Sequence, residues 1–440
     1  MATVRWEGKA IAVAEVQTIT VNDTWATNDT ATLTINGKTL TLTVGTTATN
    51  ATVAEALAKM INGESLPTGY SASETGDQVA EFLEVNAAES GSDCVITHGT
   101  KGVPFTLTVG ETTAGDGTLS IATTTAATGP NHANNTVNWD GGSLPTDDDD
   151  VVFDDGSVDV LYALDALSAV TPESITVEMG YTGRIGLPLV NANGYPEYRD
   201  RYLQICDSTP SSGTTQVNVG GGTGSGSTRL FFQFGGSSKV AINVIDTGSP
   251  ESTDTPTLAF VGGGTASTLT ITKGSVGAAV IAGEVVDLAN IAVSYATNQS
   301  SDSTLVLGPG VDFNSTTITQ NGGSITNEAT DTLPDLDVFA GEFTHRGGAV
   351  TAATVEGGTL YYESDSTLTT LIVGSDGTAD FSRDLRAKTV TNCDVFEDAT
   401  INDPASVVTF TNGIDVNHCT LQDVSIVRSP DFNVAFSATS

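Results

Sequence analysis

The chain has 440 residues, room for about three domains at the usual size, and its 16 Lys and Arg against 53 Asp and Glu leave a formal charge of −37. That balance excludes a partner gripped through its phosphates, since nucleic-acid binding draws on clustered basic residues, and it excludes docking on an anionic membrane surface. Charged residues are only 16% of the chain and glycines number 47, a departure from the roughly 25% charge and 7% glycine of average domains that, with Val, Ile, Leu and Ala set among Thr and Ser, points to half-exposed β-strands and away from a helical bundle.

The opening Met1–Ala10 carries no basic region followed by an apolar run, so no secretory signal is expected. No window holds eighteen uninterrupted apolar residues, so no membrane span is expected either. Val16, Thr18 and Thr20 alternate with Gln17, Ile19 and Val21 as a strand does. From Ala31 to Val44 two alternating runs flank Asn36-Gly37, and because this pair tolerates the positive φ of a type I′ turn the segment predicts a hairpin over 31–44. A helix is predicted over 52–62, with Thr52 as N-cap and Glu55 completing a capping box. Its apolar face is Val53, Leu57, Met60 and Ile61, and Gly63 is the stop. A strand over Phe105–Val109 follows, then a Thr/Ala/Gly-rich stretch over about 110–130 that reads as a linker or an edge connection.

From Trp139 the character changes to short β runs divided by Gly, Asn and Asp, among them Ser174–Val177, Arg229–Phe234, Lys239–Ile245, Thr268–Ile271 and Thr304–Leu307. Strands at close intervals without helices between them predict a sandwich, barrel or solenoid. Spacing favours the solenoid: apolar positions recur at Ile318, Leu336, Val355, Leu371 and Val390, in steps of 18, 19, 16 and 19, and glycines keep a similar beat at Gly322-Gly323, Gly341, Gly357-Gly358 and Gly374. The fold class expected is therefore mainly β: a small α+β module over 1–128, a linker with an acidic turn over 129–150, a right-handed parallel β-helix (β-solenoid) over 151–428 and a C-terminal tail over 429–440. A thin solenoid core gains from side-by-side packing, so a homotrimer is expected.

Chemistry-bearing motifs are sparse. Cys94, Cys206, Cys393 and Cys419 are far apart and form no CxxC pair, so they read as free thiols. His98, His132, His345 and His418 show no zinc spacing, and His345, beside Arg346, reads as a surface turn residue. Gly220–Gly226 lacks the Lys of a phosphate loop and reads as a flexible loop. Asp147–Asp150 lacks the alternating layout of a calcium loop and reads as a solvated turn. The aromatic groups Tyr195-Tyr198-Tyr202, Phe231-Phe232 and Tyr361-Tyr362 suit sugar platforms or core packing equally. No catalytic, cofactor-binding or metal-binding residue is assigned, and no enzyme activity or cofactor is expected.

Three passages resemble the structural proteins of bacteriophage particles. Val4–Gly8 with Asn36–Lys38 and Gly102–Phe105 looks like their N-terminal module. Trp139, Pro145, Asp150–Phe153 and Tyr181–Pro188 look like the start of their β-helical part, and Asp380–Arg386 looks like one of its late coils. The resemblance implies a non-enzymatic virion component, a capsid decoration or head fibre, trimeric, whose partners are itself, the major capsid protein or other virion proteins. A tail fibre or adhesin binding host-surface glycan is the alternative, and a polysaccharide-cleaving tailspike a third. Assembly in the host cytoplasm fits the missing signal. The N-terminal module serves as the attachment piece or, alternatively, as an outward binding domain.

Overall fold

A computed structural model describes residues 2–46, 48–112, 114, 116–294, 303–417 and 423–429. The predicted hairpin forms from Thr30–Ile35 and Lys38–Thr43, with Asn36 at φ 52° and Gly37 at φ 85°, the left-handed pair that its turn type demands. Two antiparallel four-stranded sheets make up this part of the chain. One runs Val85–Ser90, Asp93–His98, Val16–Asn22, Thr118–Thr125; the other runs Ser71–Ala72, Lys38–Thr43, Thr30–Ile35, Leu107–Thr112. Their core is closed by the helix Asn50–Asn62, which buries Val53, Leu57, Met60 and Ile61, the apolar face read from its period. Gly63 ends it in the left-handed conformation, as expected.

Several boundaries differ from the sequence reading. The helix starts two residues earlier, because Thr49 is the N-cap and Thr52 the N3 partner of the capping box. Thr52 thus answers the cap rather than making it. The strand expected from Phe105 begins at Leu107. The stretch over 110–130 contains a strand of its own, Thr118–Thr125, which lies at a sheet edge against Val16–Asn22; its Thr-rich sequence suits a strand with both faces near water. The segment over 129–150 is packed, with Asn138 and Trp139 buried. Asn138 donates to the carbonyls of Gly129 and His132 and accepts from Ala10 N, so three backbone groups are tied by one amide.

The boundary at 128 also leaves out a contact that the topology makes. Thr3–Arg5 pairs in parallel with Asp150–Phe153, and Val4 and Trp6 join the core of the large sheet, Trp6 meeting the Trp139 ring edge-on at 5.1 Å. The 16–125 sheets are therefore set between the first and second strands of the large sheet. The chain leaves and returns side by side where Val13 bridges Thr128.

Among the described residues the large sheet has 23 strands, and the pairings between them from Thr3 to Arg428 are parallel. Strands two apart in sequence pair in register, so apolar ladders run through the structure. One is Ile175, Val217, Ile242, Leu269, Ile291, Ile318, Leu336, Ala353, Leu371, Cys393. A second is Leu203, Phe232, Phe260, Ala278, Leu307, Asn327, His345, Tyr362. The repeat read from the sequence is right in size between Ile318 and Leu371 but mixes ladders: Val355 pairs with Val338, not Leu336, and Val390 with Leu368. The glycine beat marks corners. A Cβ on Gly341, held at φ 90°, would press into the carbonyl oxygen of Gly323 one step before it. Among the described residues no helix is long and apolar enough to cross a membrane.

Candidate binding cleft at the sheet junction

The antiparallel part and the large sheet meet around one carboxylate. Glu84 closes the short 3-10 turn Phe82–Glu84, and its Oε atoms accept from Asn36 Nδ2 at 3.1 Å, from Asn191 Nδ2 at 3.1 Å and from Asn193 Nδ2. Burial alone would raise its pKa, but the nearby His98 ring and the donors on Tyr195, Asn191 and Asn193 outweigh that and hold it at about 2. Asn36 donates from the antiparallel part and Asn191, Asn193 and Tyr195 from the loop over 191–195, so Glu84 stitches the loop down. Tyr198 adds a second stitch, donating to Pro104 O at 2.9 Å.

Beside this seam lies a cleft of about 780 Å³, walled by Leu83, His98 and Val103 on one side and by Leu161, Tyr162, Leu187 and three arginines on the other. Arg199 is gripped by Glu197 in a two-pronged pair, Nε to Oε1 at 2.8 Å and Nη2 to Oε2 at 2.9 Å, and its guanidinium lies between the rings of Tyr162 and Tyr198 at 5.1 and 4.9 Å. Its remaining nitrogen, Nη1, is buried without a hydrogen bond. Glu251 is shared by Arg184 Nε and Arg229 Nη1, each at 2.9 Å, while Arg229 Nε donates to Gly186 O. Arg184 is half-exposed and lines the cleft.

His98 is buried, and Thr100 N donates to its Nδ1 at 3.0 Å. Nδ1 also lies 3.0 Å from Thr100 O, and Glu84 Oε2 faces Nε2 at 3.6 Å. That separation is a charge contact, too long for a hydrogen bond, and Nε2 has no hydrogen-bond partner. The three carboxylates of the cleft are therefore all engaged, whereas its spare capacity consists of guanidinium N–H groups of Arg184 and Arg199. Glu84, held ionised, is the opposite of a general acid, which needs a raised pKa.

The features singled out in the sequence sit elsewhere or serve packing. Phe231, Phe232 and Tyr362 are core residues, and Tyr202 packs on Phe231 with its hydroxyl on Glu284 at 2.6 Å. Tyr361 lies under the guanidinium of Arg383. Tyr195 and Tyr198 stack on each other along the seam. His345 corrects the surface-turn reading: it is fully buried at the end of the strand Leu333–His345, stacked on Tyr362 at 5.0 Å, with Asn327 at its Nδ1 and Gly348 O 2.7 Å from its Nε2. The ring is neutral, and burial pushes its pKa down to about 4. Alternation along its strand would have signalled an inward side chain; the neighbouring Arg346 obscured it.

The acids over 147–150 are spent on the turn. Asp147 accepts from Thr171 N at 2.8 Å, Asp148 faces the Ser211 hydroxyl, Asp149 accepts from Thr146 N and Ala2 N, and Asp150 faces the Ser174 hydroxyl. Among the described residues no group of three or more His, Cys, Asp and Glu is arranged to hold a metal ion. Of the glycine run, Gly220 and Gly221 close the strand Thr215–Gly221. Cys94, Cys206 and Cys393 are free and buried, each thiol pushed up to about 12 by burial, while Cys419, His418 and the tail from 430 lie outside the described residues. Sequence reading missed Glu84, His98, Arg184 and Arg199, which are separated by up to 115 positions. The one available signal was that four of the sixteen Lys and Arg residues fall between 184 and 229. The chain matches no model of a known protein family, and no curated protein matches its sequence.

Proposed function

We propose that the large sheet is a β-solenoid and that the chain is a non-enzymatic structural protein of a bacteriophage particle, a capsid decoration or head fibre that assembles as a homotrimer. The observation that carries this reading is the unbroken sequence of parallel pairings from Thr3 to Arg428, which gives a stiff body held by strand-on-strand stacking with little depth of core. A stiff, thin-cored body suits a spine or a surface cover. Its outer positions are mostly Thr, Asn and Asp, and isolated exposed apolar residues on it, Ile245, Val285, Phe339 and Leu385, offer contact points for neighbouring copies. The major capsid protein or another virion protein is the anchoring partner, and the antiparallel part is the attachment piece.

The junction cleft favours a second reading, a tail fibre or adhesin that holds host-surface glycan. A tailspike activity is less supported, because Glu84, Glu197 and Glu251 are all engaged by donors. Sedimentation equilibrium at micromolar concentration tests the assembly: the expected mass is three times 45.0 kDa, and a monomer overturns the trimer. Immunogold labelling of the parent particle tests the site. Gold on the head shell is expected; gold confined to the tail tip favours the adhesin instead.

A further inference from the structure

The cleft has an imbalance that the fold does not require. Its carboxylates are saturated by Asn, Arg and backbone donors, yet His98 Nε2 and Arg199 Nη1 are buried without a hydrogen bond. Leaving a buried donor unpaired costs about 1–3 kcal/mol, more for a charged group, so a site that keeps the Arg199 Nη1 donor unpaired, with half-exposed Arg184 in the same lining, is built for an acceptor that arrives from outside. Arg199 also lines a second recess of about 250 Å³, so its side chain separates two openings.

The rest of the lining selects among acceptors. Leu161, Tyr162 and Leu187 give an apolar floor, and Thr100 and Asn193 give hydroxyl and amide groups at the rim. Apolar floor, neutral polar rim and cationic end together match an amphiphilic ring that bears hydroxyls and one anionic group. The volume of about 780 Å³ falls within the roughly 300–1,000 Å³ that takes small ligands. The net charge of −37 opposes an anion at long range, but screening over about 8 Å at physiological ionic strength leaves the local arginines to decide.

We propose that this cleft binds a saccharide carrying a carboxylate or phosphate group, the anion held by Arg184 and Arg199 Nη1 and the ring laid against Tyr162 and Leu187. The inference deepens the glycan-holding reading of this cleft and is independent of where on a particle the chain sits, since a capsid or tail location leaves it unchanged.

Isothermal titration calorimetry on the full chain tests it with four probes: a galacturonate oligosaccharide, glucose 6-phosphate, a neutral maltooligosaccharide and inorganic phosphate. At least one acidic sugar is expected to bind about tenfold or more tightly than both the neutral sugar and free phosphate, and which one binds identifies the anion. Arg184→Ala is expected to remove that preference, Arg184→Gln to do the same, and Arg346→Ala, on the far part of the sheet, to leave it intact. Because Arg184 is half-exposed, an unchanged melting temperature certifies the fold of the variants. Equal binding of neutral and acidic sugars, phosphate binding as tight as the phosphorylated sugar, affinity indifferent to both Arg184 variants, or no binding by any of the four overturns the proposal.

Discussion

The strands of the large sheet pair in parallel from end to end, yet its two halves are spaced differently. Before residue 310 successive ladder positions lie far apart: Val217, Ile242, Leu269, Ile291 and Ile318 are 25, 27, 22 and 27 residues from one another. From Ile318 through Leu336 and Ala353 to Leu371 the steps are 18, 17 and 18. The extra residues of the early half are in its connections, and those connections build the cleft: the loop over 186–201 carries Asn191, Glu197 and Arg199, and the loop after Val240–Val244 carries Glu251. Between Ile318 and Leu371 the connections are short, and the step lengthens again to 22 at Cys393. The polar residues of this later half stack instead, Arg346 bridging Glu328 at 3.1 Å and Glu363 at 2.9 Å, each next to the ladder residues Asn327, His345 and Tyr362. Regular spacing gives a scaffold; irregular spacing gives a surface that can bind.

Lengthening a connection is the most direct way to break this contrast. Two residues inserted after Gly347 would displace the Gly348 carbonyl that meets His345 and the Gly347 carbonyl that accepts from Ser364. The expected result is loss of several kcal/mol or no folded protein, since a buried network is broken and the register behind it shifts. The same insertion after Thr253, in an exposed early connection, is expected to cost about 1 kcal/mol or less, as loop entropy grows slowly with length. Urea unfolding of the two insertions compares them directly; equal costs would end the distinction.

Next in size is the buried cation of the later half. Lys388 has a fully buried side chain, and its Nζ bonds Asp384 Oδ2 at 2.7 Å together with the carbonyls of Asp384 and Arg386. Asp384→Ala strands that charge and is expected to lower stability by about 3 kcal/mol or more. Replacing both residues, Asp384→Ala with Lys388→Met, is expected to recover much of the loss. If the single variant unfolds at the wild-type urea concentration, the pair is idle.

This contrast also decides what the sequence made legible. The Asn36-Gly37 hairpin and the apolar face of the helix were readable because turn chemistry and the 3.6-residue period act over a few residues. The later half was readable because its short connections preserve a period, though period alone cannot say which of two ladders a residue belongs to, hence the mixing of Val355 and Val390 into the Leu336 series. The early half hides its period in connections of unequal length. Thr3–Arg5 and the cleft were illegible for a stronger reason: pairing Thr3 with Asp150, or Glu84 with Asn191, is a tertiary choice with no local trace. Composition did forecast the strand-rich outcome, since Thr and Val alternate wherever a face is half-buried.

The later half and the junction seam are also expected to titrate in separate windows. His345 is neutral in the fold with a pKa lowered to about 4, against 6.5 when unfolded. The unfolded chain therefore binds the proton first, so this contribution is complete above pH 6.5 and is lost as pH falls from there to about 4. The loss amounts to roughly 3 kcal/mol by pH 4. His345→Gln, which keeps an amide in reach of Gly348 O, is expected to flatten the pH dependence in that window even if it lowers stability at pH 7. Thermal melting across pH 4–7 measures it, and an unchanged slope in the variant assigns the effect to other groups.

Glu84 carries the smallest of these effects and the most local. Its folded pKa of about 2 lies below the ordinary 4.5, so its contribution is present above pH 4.5 and is lost as pH falls through about 2, a window below that of His345. Glu84→Gln keeps the size and removes the charge that Asn36, Asn191 and Asn193 donate to. Exchanging three charge-assisted bonds for weaker ones is expected to cost about 1–3 kcal/mol, at most the loss given to His345. The local consequence is larger in kind. With its anchor weakened, the loop over 191–195 is expected to open, so backbone hydrogen exchange rises across 188–197 while Leu336, Ala353 and Leu371 stay protected. Uniform acceleration in both regions would mean that the seam and the later ladders form one cooperative unit, and that the early connections are as much a part of the scaffold as the tight steps that follow them.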